Sequence, residues 1–67
     1  MADFAERLKE LRTDKKLTMK QLADLVKVSE MAISHWESRQ RVPNINYATA
    51  LAKYFGVTVG YLVGAEN

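Results

Sequence analysis

Residues 17–37 read LTMKQLADLVKVSEMAISHWE. Two helix starts are legible in this stretch. Thr18 and Gln21 form the T-x-x-Q pattern of a capping box, in which the hydroxyl accepts a backbone N–H three residues on and the amide side chain reaches back. Leu17 and Leu22 stand at the spacing of a hydrophobic staple. Ser29 is a good N-cap for a second helix, and Val28 and Ile33 repeat the staple. Ala23 falls on the inner face of the first helix of the pair, where a small side chain lets two backbones approach. Val26 and Val28 flank the connection. Ile33 and Trp36 face inward from the second helix.

Two short helices crossing steeply through a tight turn make a helix-turn-helix, whose second helix can enter the major groove of duplex DNA. Arg12, Leu17-Thr18, Leu22-Ala23, Val28-Ser29, Ile33, Glu37, Arg41, Pro43 and the ending LAKYFGVTVGYLVG at 51–64 form an ordered set along nearly the whole chain. In that order they resemble the lambda-repressor and Cro-like family. No one of these residues is specific; the set is. The resemblance implies an all-α fold, a compact five-helix lambda-repressor-like DNA-binding domain.

Three positions depart from that family's pattern. Lys27 stands at the turn, where the family usually has Gly. A non-Gly residue held left-handed there costs about 1 to 2 kcal/mol. Met19 stands where the family often places a Gln that contacts phosphate and supports a base-reading side chain. The run Ser38-Arg39-Gln40-Arg41 replaces a Gly followed by a basic residue. The fold expectation survives these departures. The carry-over of individual DNA contacts is weakened, most of all at Met19.

Composition agrees with a small binding module. The 67 residues predict one domain over 1–67, with a small core. There is no cysteine, so neither a disulfide framework nor a thiolate zinc site can form. Stability must come from helix packing, which suits the 48% apolar content. No apolar run approaches a membrane span and no signal peptide is visible, so the expected location is cytoplasmic, with no membrane partner. The net charge of +2 alone does not suggest nucleic acid. Its distribution is more informative. Residues 15–41 hold six basic side chains against three acidic, whereas residues 1–14 hold three against four. A basic stretch is usually a solvated face; it gains meaning by surrounding a helix-turn-helix pattern.

Three further helices complete the reading. Asp3 can cap a helix over roughly 4–15, with Phe4, Leu8 and Leu11 at helical spacing. Asn44 follows Pro43 and can cap a helix to about Tyr54, with Ile45, Ala48, Leu51, Ala52 and Phe55 inward. Gly56 fits its C-cap. Thr58 can cap a short last helix, with Val57 and Leu62 as staple, and Gly64 with the polar tail closes the domain.

Placing Ile33 and Trp36 inward sends Met31, Ser34, His35 and Ser38 outward, with Glu30 at the N-terminal edge. In the resembled family the positions of Glu30, Met31, Ser34 and His35 reach base edges. The chemistry is available: Glu30 can accept from cytosine N4, Met31 can touch a thymine methyl, Ser34 can bond several edges and His35 can donate to guanine N7. Each has a plainer alternative. Glu30 favours the dipole of the helix's first turn, and His35 suits solvent. Met31 has no core reason to be where it is. Trp36 reads as core rather than as a stacking platform, and a lone histidine does not make a metal site. Phosphate contacts are expected from Ser38, Arg39, Gln40, Arg41 and Asn44 near the fourth helix's free N–H groups, and from Lys20 and Lys27 opposite. The plain alternative for each is an ordinary surface residue. The resemblance implies that Arg12 and Glu37 form an internal ion pair.

The reading is therefore a sequence-specific DNA-binding domain, a transcriptional repressor or regulator of phage or bacterial type. A single small module buries too little surface for tight binding, so a homodimer on a palindromic operator is expected, meeting through the Gly56–Leu62 region, where Val59 and Tyr61 would be exposed. The alternative is an antitoxin-like or adaptor domain that uses the same fold mainly to bind protein. No nucleophile–base pair, phosphate-cradling glycine loop or metal set suggests an enzyme, and no cofactor is expected.

Overall fold

Each helix begins on a polar side chain that accepts from the backbone. The structure is a computed structural model, and it describes residues 3–65. The expected 1–67 domain therefore extends at both ends beyond the described residues, as does the last part of the polar tail. Five helices follow one another: α1 (Phe4–Asp14), α2 (Met19–Val26), α3 (Glu30–Glu37), α4 (Ile45–Phe55) and α5 (Val59–Leu62). Their N-caps are Asp3, Thr18, Ser29, Asn44 and Thr58. At α2 the capping box is complete: Gln21 N donates to Thr18 Oγ1 at 3.0 Å and Thr18 N donates to Gln21 Oε1 at 2.8 Å. Loss of such a cap typically costs about 1 kcal/mol.

The helix ends share one device. After each helix a single residue turns left-handed, at Lys16 (φ 57), Lys27 (φ 61), Arg39 (φ 66), Gly56 (φ 71) and Gly64 (φ 86). The next N–H then reaches back five residues: Leu17 to Arg12 O, Val28 to Ala23 O, Gln40 to His35 O, Val57 to Ala52 O and Ala65 to Gly60 O, at 2.8–3.1 Å. This closure satisfies a carbonyl that the helix end leaves open. Lys and Arg occupy it at Lys16, Lys27 and Arg39, where glycine would be relaxed. At Lys16 and Lys27 a positive charge at the helix C-terminus, the negative end of the dipole, partly offsets the strain.

The core takes one fully buried aliphatic side chain from each helix: Leu8, Leu22, Ile33, Leu51 and Leu62. Phe4, Ala23, Trp36 and Ala52 complete the cluster. Truncating one of these large side chains costs about 2 to 5 kcal/mol. α3 packs on α1 and α2, while α4 packs on α5 and α2. Ala23 is 1% exposed on α2, which permits its close approach to α3. Trp36 is buried between Phe4, edge to face at 6.5 Å, and Tyr47 at 5.7 Å. Its ring is thus part of the core.

Two sequence expectations fail here. Ile45 does not face the core; it is 67% exposed. It opens the first turn of α4, ahead of the buried positions Ala48 and Leu51. Val59 and Tyr61 are not free apolar surface either. Val59 packs against the core, and Tyr61 carries the Arg7 guanidinium 4.1 Å over its ring.

Candidate nucleic-acid interface

A buried ion pair ties the end of α3 to α1. Arg12 Nε donates to Glu37 Oε2 at 2.6 Å, and Arg12 Nη2 donates to Glu37 Oε1 at 2.9 Å. Arg12 Nη1 donates to Leu17 O at 2.7 Å. One guanidinium thereby joins the end of α1, the entry to α2 and the end of α3. The side chains are 11% and 3% exposed. The Glu37 carboxylate bonded to Arg12 raises the guanidinium above its ordinary value, so Arg12 stays charged. A planar fork against a carboxylate is the geometry that makes such a pair strong.

With α3 fixed by this pair and by Ile33 and Trp36, its other face meets solvent. Met31 is 66% exposed, and Glu30 is exposed beside it in the first turn. Ser34 and His35 are half-buried further along the helix. Ser38 is exposed at the C-cap, where its hydroxyl donates to His35 O at 3.3 Å.

A groove of about 470 Å³ runs between α3 and the start of α4. Met31, Ala32 and His35 form one wall, and Arg41, Asn44 and Tyr47 the other. Four expected contact residues, Met31, His35, Arg41 and Asn44, are thus brought to one place. Asn44 Oδ1 accepts from Tyr47 N at 2.9 Å, so this carbonyl caps α4 while its residue lines the groove. Val42, which is 82% exposed, and Tyr47, which is 44% exposed, also border the groove, and sequence reasoning missed both. Tyr47 had a readable signal: an aromatic in the first turn of α4, one turn before the core position Leu51. Val42 had none beyond being apolar in a polar loop.

The other basic side chains are arranged differently. Lys27 lines a separate depression with Leu25, Lys53 and Tyr54. Lys53 is a further cation that sequence reasoning passed over. Lys20 lies 3.7 Å from Asp24 in an exposed pair one helical turn apart. Arg39 departs most from expectation. Its guanidinium is not presented to the groove but turned to α1, where Nε donates to Asp3 Oδ2 at 2.7 Å and Nη2 donates to Asp3 Oδ1 at 3.1 Å and Glu6 Oε1 at 3.0 Å. The backbone at Arg39 is left-handed, with φ 66. Gln40 N and Arg41 N both donate to His35 O, at 2.9 and 3.3 Å, which ties the loop to the middle of α3.

Among the described residues no group of histidine, cysteine and carboxylate side chains could hold a metal ion. No described helix is long and apolar enough to cross a membrane.

Known proteins share this arrangement. The helix-turn-helix family model matches residues 8–62. The HTH-type transcriptional activator BcrR of Enterococcus faecalis is 44% identical over 65 residues, covering 97% of this chain and 32% of that protein. The uncharacterized HTH-type transcriptional regulator YobD of Bacillus subtilis (strain 168) is 31% identical, covering 96% of this chain and 57% of that one. The chain thus spans about a third and somewhat over half of the lengths of these two curated relatives. Among solved structures, the P22 c2 repressor protein, crystallised in complex with a synthetic operator, superposes with a TM-score of 0.90 at 30% identity over 98% of this chain and 100% of that one. With five helices, the capped turn between α2 and α3 and a match over most of its length, the chain belongs to the helix-turn-helix family of lambda-repressor and Cro type.

Proposed function

We propose that this chain is a sequence-specific double-stranded DNA-binding domain of a phage-type or bacterial transcription regulator, working in the cytoplasm as a binding module without chemistry of its own. One observation carries the reading. The groove between α3 and α4 sets an exposed reading face, Met31 and His35, beside a cation and a helix N-terminus, Arg41 and Asn44. Base edges require the first kind of group and phosphates the second. The likeness to a repressor solved on an operator supports the same orientation.

In this reading α3 lies in the major groove. Glu30, Met31, Ser34 and His35 meet base edges. Ser38, Gln40, Arg41 and Asn44 follow one phosphate strand, and Lys20 and Lys27 the other. Arg12 and Glu37 hold α3 at its angle and touch no DNA. The domain binds as a homodimer on an inverted repeat, because one such module buries little surface. The Gly56–Leu62 region contributes through its neighbours: exposed Val63 follows α5, and Val42 borders the same hollow as Val63. The test is selection of bound duplexes from random DNA. An enriched inverted repeat is the expected result; a pool that stays random overturns the reading.

A further inference from the structure

Between Glu37, whose side chain is buried against Arg12, and Ala48 no residue is buried. The loop that carries Gln40 and Arg41 has no side chain anchored in the core. Beneath it lies a hollow of about 270 Å³, bordered by Phe4, Trp36, Val42 and Val63. Two things hold its course: the backbone bonds to His35 O, and the Arg39 side chain on Asp3 and Glu6. The second attachment spans 36 and 33 residues of sequence. It leaves the guanidinium with two of its nitrogens already donating to carboxylates. Arg41 makes no ion pair among the described residues.

We propose that Arg39, gripped by Asp3 and Glu6, is a positioning residue for DNA binding: it pins the loop so that Gln40 and Arg41 meet phosphate, and it is not itself a phosphate ligand. This rests on the DNA-binding reading above. Turning Arg39 to a phosphate would break three charge-assisted bonds and leave two carboxylates unpaired near a polyanion, which favours the side chain where it is. Asp3 serves twice, since its Oδ1 also accepts Glu6 N at 3.0 Å as the N-cap of α1.

The geometry permits a charge-matched test. Asn is as good an N-cap as Asp, so Asp3→Asn keeps α1 intact. The double variant Asp3→Asn/Arg39→Gln keeps the net charge while removing the ionic grip. Wild type, both single variants, the double variant and Arg39→Gly are titrated against the selected duplex across a range of salt, with thermal unfolding as the stability control. Arg39→Gly relaxes the left-handed backbone and therefore does not fail by misfolding. The double variant and Arg39→Gly are expected to bind about two- to five-fold more weakly, the size of an exposed ionic coupling. The dependence of log K on log salt should match wild type in both. Asp3→Asn should also weaken binding although it removes a negative charge, and Arg39→Gln should add little on top of it. A salt slope shallower by about 0.9, the signature of one lost phosphate contact, overturns the proposal. So does tighter binding by Asp3→Asn, or unchanged affinity in the double variant. If wild type selects no duplex, it is the DNA-binding reading that has failed.

Discussion

Lys27 closes the turn between α2 and α3 with φ 61 and ψ 48, in the left-handed region. A side chain bearing a Cβ costs about 1 to 2 kcal/mol there. Glycine removes that cost but loses more entropy on folding, by about 0.5 to 1 kcal/mol. Lys27 is also the cation at the end of α2, whose last turn has no basic residue of its own. Its charge contributes about 0.3 kcal/mol there, which salt screens. With that charge screened at high salt, Lys27→Gly should therefore stabilise the fold by about 0.5 to 1 kcal/mol. For a domain of this size that raises Tm by about 2 to 8 °C. Gly56 supplies the mirror experiment. It has φ +71 and open space where a Cβ would go. Gly56→Ala meets no clash, so it should lose the left-handed backbone cost less the entropy that alanine recovers, about 0.5 to 1 kcal/mol. Thermal and urea unfolding of both variants provide the assay. Lys27→Gly should also lower the salt slope of operator binding by about one, as the loss of a phosphate contact requires. A less stable Lys27→Gly, or a Gly56→Ala as stable as wild type, refutes the claim that left-handed strain is stored at these helix ends.

Met31→Ala should change base preference at one or two operator positions, with about 1 to 3 kcal/mol lost at the preferred base. Replacing the matching thymine by uracil in the duplex should reproduce that loss in wild type and cost Met31→Ala nothing more; additive losses would place Met31 elsewhere. His35→Ala should relax one further position in the same selection assay, and an unchanged profile would remove it from the reading face. Glu37→Ala should cost about 3 to 5 kcal/mol in urea unfolding, because Arg12 is left buried without its carboxylate; a loss under 1 kcal/mol would mean that Arg12 finds water or another partner. The Arg39 hydrogen bond, and after it the Glu6 N–H, hold the Asp3 carboxyl below its ordinary range. A carboxyl depressed in the folded state stabilises above its unfolded value, about 3.9, and loses that contribution as pH falls through the folded value. The Tm gap between wild type and Asp3→Asn should thus be widest above pH 5 and close toward pH 2; a gap that widens in acid would contradict the ion pair.

The starts of all five helices were legible because a short polar cap followed by an apolar residue is a local signal. Asp3, Thr18, Ser29, Asn44 and Thr58 each cap within three residues of chain. The helix ends were legible only where glycine or family likeness marked them. Lys16 and Arg39 take the same left-handed turn, but a basic residue reads as ordinary surface until the backbone is seen. The apolar residue after the turn, Leu17 or Val28, was the available clue. Ile45 misled because periodicity places a residue on a face without saying whether anything covers that end of the helix. The solvent-facing side of α3 followed from Ile33 and Trp36 pointing inward. The grip of Arg39 on Asp3 and Glu6 was not legible, since it joins segments that only the tertiary fold brings together.

On the proposal above, the α3 face reads sequence while the residues around it neutralise phosphate. Affinity for the selected duplex and for a scrambled duplex of equal length, each measured over a salt series, tests this most directly. Both affinities should fall steeply with salt, and the selected duplex should remain favoured by at least about a thousandfold at moderate salt. Equal affinity for the two duplexes, or binding indifferent to salt, would contradict the account and point to a protein partner instead.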